Sequence, residues 1–132
     1  MAGSAEQAWN DYVLGHRLEM GEATGVDLHE SARLYRRAAL RGLAEAQHAI
    51  AFLYATGQGV NRDDAMAAQW FLAAAEQGHV TAQHNLAVML AEGRGVARDE
   101  PEAVRWFYRA ALAGSDESRR WLEVRFDDCS GA

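Results

Sequence analysis

The chain has 132 residues, 49% of them hydrophobic, with a single cysteine and a formal net charge of −6. This length is typical of one domain, and the apolar content predicts a packed core and excludes a disordered chain. The negative charge argues against sequence-independent nucleic-acid binding, one cysteine excludes an internal disulfide framework, and no apolar run reaches the roughly 20 residues of a membrane helix.

A repeat with a period of 36 residues organises the chain. Residues 42–77 and 78–113 align without gaps and are identical at 16 of 36 positions. A fixed period in this range is typical of stacked supersecondary units, which bury their apolar faces against one another. We therefore expect a single domain with repeats at about 6–41, 42–77 and 78–113, a capping helix at 114–126 and a short tail at 127–132.

The first repeat is the most divergent. Gly21 and Gly42 end its two predicted helices, but the second glycine of its loop, Gly25, comes two residues later than in the other copies. Asp27 and Glu30 predict a capping box at the start of its second helix. A basic cluster on that helix is typical of a solvated outer face, with an acidic partner or a membrane surface as the alternatives; it comprises Arg33, Arg36, Arg37 and Arg41.

The second and third repeats carry identical helix signals. In both, apolar residues recur at helical spacing, and the loops Gly57–Arg62 and Gly93–Arg98 separate two helices. Asp63 and Asp99 are predicted N-caps, and Glu102 completes a capping box with Asp99. An aromatic pair and an alanine pair recur at one position, which predicts packing between repeats; these residues are Trp70, Phe71, Ala74 and Ala75, then Trp106, Phe107, Ala110 and Ala111.

This pattern resembles the Sel-1-like repeat family, a relative of the tetratricopeptide repeats with units of 36 residues. The family pattern, G-x-G-V followed by an acidic residue, an alanine and W-[YF]-x-x-A-A-x-x-G, is matched at Gly57–Gly78 and again at Gly93–Gly114. The resemblance implies an all-α fold, a right-handed α/α superhelical solenoid of three helix-turn-helix repeats plus a C-terminal capping helix. It also implies an adaptor or scaffold role, and bacterial members often act in signalling, secretion or host contact.

The resemblance also indicates where a partner would bind. In the tetratricopeptide relatives, the second, fifth, sixth and ninth residues of the first helix of each repeat face the concave side. At the 36-residue period these positions give the predicted partner-binding residues, which are Trp9, Tyr12, His16, Glu45, His48, Phe52, Thr81, His84, Asn85, Val88, Glu117, Arg120, Trp121 and Val124. Aromatic residues and arginine are common at binding hot spots. For Phe52 and Val88, filling the space between repeats is the competing interpretation.

No catalytic, cofactor or metal site is predicted. The histidines lack H-x-x-x-H spacing, and His48 and His84 lie one repeat apart, so their rings would share a metal only by leaning together across helices about 8–10 Å apart. The glycine loops lack the strand and the Lys-Ser/Thr of a phosphate loop, and no serine is paired with a base. Cys129 is interpreted as an unimportant tail thiol.

Two classes of function remain open. The first is a protein-binding adaptor that holds another protein or peptide in the concave groove. The second is a self-associating structural module, in which Trp121 and the terminal helix dock on another copy; a small-molecule binder or hydrolase is a remote third. We expect no enzyme activity, no nucleic-acid partner, no membrane span and a monomer or weak homodimer. The N-terminus lacks the basic and apolar regions of a signal peptide, so we expect a cytoplasmic protein.

Overall fold

The computed structural model describes residues 2–21 and 26–130. Within these ranges the chain forms helices and no strand, which confirms the predicted all-α class. The helices are α1 (Ala2–Met20), α2 (Leu28–Leu40), α3 (Ala44–Thr56), α4 (Asp64–Glu76), α5 (Val80–Glu92), α6 (Glu100–Leu112) and α7 (Asp116–Ser130). Across the described residues, no helix combines the length and the apolar character that crossing a membrane requires.

The second helix of each repeat begins at an aspartate. The side chains of Asp27, Asp63 and Asp99 each accept a hydrogen bond of 3.0 Å from the backbone N–H three residues later. Such a cap satisfies one of the donors that a helix leaves open at its N-terminus and stabilises the helix by about 1 kcal/mol. The N-caps predicted from the sequence are therefore confirmed in all three repeats.

The capping boxes are only half formed, so this part of the prediction is wrong. In a capping box, the Glu102 side chain would accept the backbone N–H of Asp99. That N–H instead donates to the carbonyl of Leu90 at 2.9 Å, in the preceding helix. Because the donor is already satisfied, Glu102 pairs with Arg105. The Asp27 site follows the same scheme, with its N–H donating to an α1 carbonyl.

The helices form a stack in which each helix packs on its neighbours in the chain. The pairs α1–α2, α3–α4 and α5–α6 pack within repeats, and α2–α3, α4–α5 and α6–α7 pack between them. This nearest-neighbour arrangement confirms the predicted solenoid of three repeats plus a terminal helix. Side chains therefore come together mainly across one helix pair or one repeat boundary, and a binding surface must extend along the stack.

Two apolar clusters form the core, one at each repeat boundary. Alanines dominate both, and the late alanines of α2 and α4 are almost fully buried, which allows the helices to approach closely. Phe71, Phe107 and Trp106 are buried in the second cluster, with Trp106 at 6% exposure. Trp70 is only partly buried and touches both clusters. The predicted core position is thus confirmed for Trp106, whereas Trp70 bridges the two boundaries at their edge.

The second glycine of the loop is required by repeat stacking. Gly95 has φ +70°, and a Cβ there would lie 2.1 Å from the carbonyl oxygen of Asp64, in the first turn of α4. Gly59 occupies the same place one repeat earlier, against the Leu28 carbonyl. Each loop therefore rests directly on the preceding repeat, where no side chain fits. Gly25, the displaced glycine of the first repeat, lies outside the described residues.

Helix α7 has a charged residue where α3 and α5 have a core alanine. The positions of Ala51 and Ala87, both fully buried, correspond at the repeat period to exposed Glu123. Arg119 pairs with Glu123 and with Asp116 on the same helix. This surface therefore suits solvent, as expected for a capping helix. The helix ends at Ser130 instead of at 126, so most of the predicted tail is helical; the Cys129 side chain lies outside the described side chains.

Candidate functional site

The predicted partner-binding residues all lie on α1, α3, α5 and α7, the first helices of the successive units. We call the surface that these four helices form the groove face. Two open depressions lie on it and share Val88. The larger has a volume of about 1090 Å³ and lies between α5 and α7. It is lined by His84, Val88, Glu117, Arg120, Trp121, Val124, Arg125 and Phe126. Six of these eight residues are predicted ones, and sequence reasoning missed Arg125 and Phe126.

The smaller depression, of about 180 Å³, lies between α3 and α5. Phe52, Asn85 and Val88 contribute to its lining, and Phe52 is 44% exposed. Val88 is partly buried and packs against the second core cluster. The two interpretations, partner binding and filling the space between repeats, therefore apply differently. Val88 fills the repeat boundary and also lines both depressions, whereas Phe52 lies largely on the surface.

An apolar floor characterises the α5–α7 depression. Trp121 is stacked on the buried ring of Phe107, with the ring centroids 4.0 Å apart and the planes 18° from parallel. Val124, one turn further along α7, is 70% exposed, and Phe126 is also exposed. Because this stack already fixes the Trp121 side chain, binding a partner would cost little further side-chain entropy, which is favourable for an interface anchor. The floor of the depression therefore combines a rigid aromatic side chain, Trp121, with an exposed aliphatic one, Val124.

His84 lies at the edge of this depression in a fixed orientation. Its Nδ1 is 2.7 Å from the Ser118 hydroxyl, its Nε2 is 3.4 Å from a Glu117 carboxylate oxygen, and its ring meets Phe107 edge-on. Burial lowers the pKa of His84, and the Glu117 charge opposes that shift. The histidine therefore acts mainly as a neutral spacer that joins α5 to α7.

Ser118, His84 and Glu117 have the residue types of a hydrolytic triad, which the sequence did not reveal because Ser118 and His84 are 34 residues apart. The burial of Ser118 contradicts that role. Ser118 is 0% exposed, so its hydroxyl cannot reach a substrate carbonyl, and a nucleophile must do so. The hydrogen bond between the buried Ser118 and the partly buried His84 instead secures α7 to α5.

His48 lies at the repeat boundary, not on open surface. Its Nε2 is 3.3 Å from the amide nitrogen of Asn85, which donates, and its ring stacks on His79 at 4.6 Å and contacts Phe71. Burial, with a smaller contribution from His79, lowers the pKa of His48 to about 4. His79, which sequence reasoning missed, also has a lowered pKa because of burial. It caps α5 by accepting the Ala82 N–H at 3.1 Å.

The N-terminal part of the groove face is a run of aromatic rings. Tyr12 lies between Trp9 at 5.8 Å and the buried Tyr35 at 5.6 Å, and His16 stacks on it at 6.3 Å. Trp9 and His16 are exposed and Tyr12 is half-buried. Burial raises the pKa of Tyr12, and the nearby Glu45 carboxylate adds to the shift. These residues form a second, aromatic contact area at the other end of the groove face.

The remaining predicted residues differ in availability. Thr81 and Glu117 are exposed, and Glu45 is half-buried. Among the residues that the structure describes, no group of three His, Cys, Asp or Glu side chains is placed to hold a metal ion. None of the four arginines of the basic cluster lines either depression, and Arg37 bridges to Asp11 of α1 at 3.2 Å.

The model of the Sel1 repeat matches residues 12–43, 44–79 and 80–115, each match lying a few residues downstream of our repeat division. A solved Sel1 repeat protein from Oxalobacter formigenes is 31% identical, with a TM-score of 0.83, and the alignment covers 92% of this chain and 93% of that one. No curated protein matches the chain.

Another similar structure is c5321, described as a protective antigen present in uropathogenic Escherichia coli strains and displaying an SLR fold. It is 36% identical with a TM-score of 0.89; the alignment covers 92% of this chain but only 26% of the antigen, so the chain spans about a quarter of that protein. The Helicobacter pylori cysteine-rich protein B shares the fold, at 20% identity, a TM-score of 0.68 and coverage of 86% and 91%.

Proposed function

The chain belongs to the Sel1 repeat family, and we propose that it is a non-catalytic interaction module that binds a partner protein or peptide on the groove face. Sel1 repeats generally serve as scaffolds for protein–protein interaction. The observation that carries the proposal is the α5–α7 depression, about 1090 Å³ in volume and lined mainly by positions that differ from one repeat to the next. A stacking position must be the same in each unit, whereas a surface that recognises an asymmetric partner must vary along its length.

Exposed apolar side chains support the groove face as the binding surface. Trp9, Phe52, Val124 and Phe126 are all large, apolar and exposed on its helices. Exposed apolar side chains that line a depression, as Phe52, Val124 and Phe126 do, are typical of an interaction site. The open surface of α7, by contrast, carries the paired charges described above, so end-to-end stacking of copies has little apolar area to bury. We therefore favour a monomer or weak homodimer that recruits a different partner.

We propose a bacterial signalling, secretion or effector-related complex as the setting. The three similar structures described above come from bacteria, and one of these proteins is described as a protective antigen. That description belongs to the E. coli protein, of which this chain matches about a quarter. It supports the setting and identifies no partner.

The test is selection of binders followed by matched substitutions. Peptides selected from a random displayed library against the purified chain should lose at least about tenfold in affinity for Val124→Asp, since the change removes an apolar contact and places a charge in the apolar floor. Leu112→Asp is the matched control, because Leu112 is 73% exposed on α6 and Val124 is 70% exposed on α7. Its affinity should change by less than about twofold.

A second matched pair checks the middle of the groove face. Phe52→Asp on α3 should weaken the same peptides, and Leu72→Asp on α4, with nearly equal exposure, should not. Circular dichroism and urea unfolding establish that all four variants are folded. If the peptides lose affinity for the Leu112 and Leu72 variants instead, or if selection yields no peptide sensitive to the groove face, the proposed function is wrong.

A further inference from the structure

We infer that the α5–α7 depression binds an extended peptide segment that carries a large apolar side chain two residues from an aspartate or glutamate. This inference rests on the proposed function and specifies its ligand. Three features of the depression indicate this ligand: its distribution of charge, the apolar floor, and the spacing between Arg120 and that floor.

The charged residues of the depression leave one cation for a ligand. The exposed Glu117 carboxylate lies 3.4 Å from Nε2 of the mainly neutral His84, whereas Arg125 forms an ion pair with Glu100 and lies over the Trp121 ring. Arg120 is exposed, and within the described part of the chain its guanidinium has no carboxylate partner; its Nε donates only a long bond of 3.4 Å to the Asp116 carbonyl. A guanidinium matches a carboxylate in geometry as well as in charge.

The apolar part of the site lies beside this cation. Trp121 is fixed by its stack on Phe107, Val124 is exposed, and Val88 lies across the depression on α5. Burying an aromatic or aliphatic side chain against these three removes apolar surface from water on both partners. The floor and the cation together therefore favour a peptide that carries an apolar side chain close to an acidic one.

The geometry of α7 determines the spacing in the ligand. Arg120 and Val124 are four residues apart on one face of the helix, which is about 6 Å along its axis. In an extended peptide, side chains two residues apart point the same way and are about 6.5 Å apart. An acidic residue and an apolar residue at positions i and i+2 therefore reach Arg120 and the Val124 floor at once.

The net charge of the chain makes this preference diagnostic. At −6, the overall field favours basic peptides. Enrichment of acidic residues in selected peptides must therefore arise locally, from Arg120. Because an exposed ion pair contributes little, Arg120→Ala should weaken an acidic peptide by only about two- to fivefold.

The experiment is a parallel selection with a specificity reversal. A displayed library of random heptapeptides is selected against the wild-type chain and against Arg120→Glu. Wild type should enrich an acidic residue two positions from Phe, Trp, Leu or Ile, and the variant should enrich a basic residue at that position with the apolar anchor unchanged. Arg119→Glu is the control, since Arg119 pairs with Glu123 on the same helix and its reversal changes the net charge equally.

The outcomes separate this inference from the proposed function. Peptides that depend on Val124 but show no acidic preference, or the same preference for wild type and Arg120→Glu, overturn the inference and leave the interaction module intact. The same shift in the Arg119→Glu selection would show that net charge, not Arg120, sets the preference, and would also overturn it. If the selection yields no peptide whose affinity depends on Val124, the proposed function itself is rejected.

Discussion

Acidification should destabilise the fold through His48. An unfolded chain protonates this histidine below its ordinary pKa of 6.5, whereas burial holds the folded-state pKa at about 4. The unfolded state thus binds more protons in this window, so the stability that the neutral imidazole allows is present above pH 6.5 and is lost as the pH falls toward 4. At 1.36 kcal/mol for each pKa unit, the loss is about 3 kcal/mol below pH 4 and about 2 kcal/mol by pH 5.

The measurement is urea unfolding, followed by circular dichroism at pH 7 and pH 5, of the wild type and of His48→Gln. Other titrating groups are common to both proteins, so their effects largely cancel in the difference. The stability advantage of wild type over His48→Gln should fall by about 2 kcal/mol between the two pH values.

The matched control for this prediction is His29→Gln, because His29 is exposed on α2. The difference between wild type and that variant should stay within about 0.5 kcal/mol across the same pH range, as is usual for surface substitutions. If His48→Gln and wild type lose stability in parallel on acidification, the buried, neutral state of His48 is wrong.

Two further predictions concern the stacking of repeats. Gly78→Ala should lower the free energy of unfolding by about 1–3 kcal/mol, the usual strain for a non-glycine residue at positive φ, because a Cβ there meets open space. Gly95→Ala should lower it clearly more, because the added Cβ would overlap the α4 backbone. Equal losses in urea unfolding would contradict the proposed role of the loop. Trp106→Ala should cost about 3–5 kcal/mol. Trp70→Ala should cost less because Trp70 is only partly buried, and a larger loss for Trp70 would reverse our assignment of the core.

Much of the fold followed from local signals. The aspartate caps, the glycine stops and the period of 36 residues act within one or two turns, so each could be interpreted without knowledge of a distant neighbour. The capping boxes failed for a tertiary reason. The N–H of Asp99 found the Leu90 carbonyl in the preceding helix, and this left Glu102 free to pair with Arg105.

The role of a buried glutamine could not be predicted in the same way. Gln47 and Gln83 each donate a side-chain hydrogen bond to an alanine carbonyl near the end of the preceding helix, at 3.3 and 3.2 Å. Their recurrence at one repeat position was visible in the sequence, but their acceptors were not. These carbonyls also accept the backbone N–H groups of Gly42 and Gly78, at 2.9 and 3.0 Å, so each glutamine adds a second hydrogen bond at the end of the helix.

The sequence by itself determined the repeat and the helices, because periodicity and capping depend on residues close together in the chain; the family resemblance indicated the surface on which the variable positions lie. Only the tertiary structure decided which of those positions remain available. His48 and His84 are hydrogen-bonded to Asn85 and Ser118 of the neighbouring units, whereas Arg120 and Val124 are exposed to solvent. The reason is physical: a side chain at the boundary of two repeats must satisfy the packing and hydrogen bonds of both, and its partners come from about one repeat away.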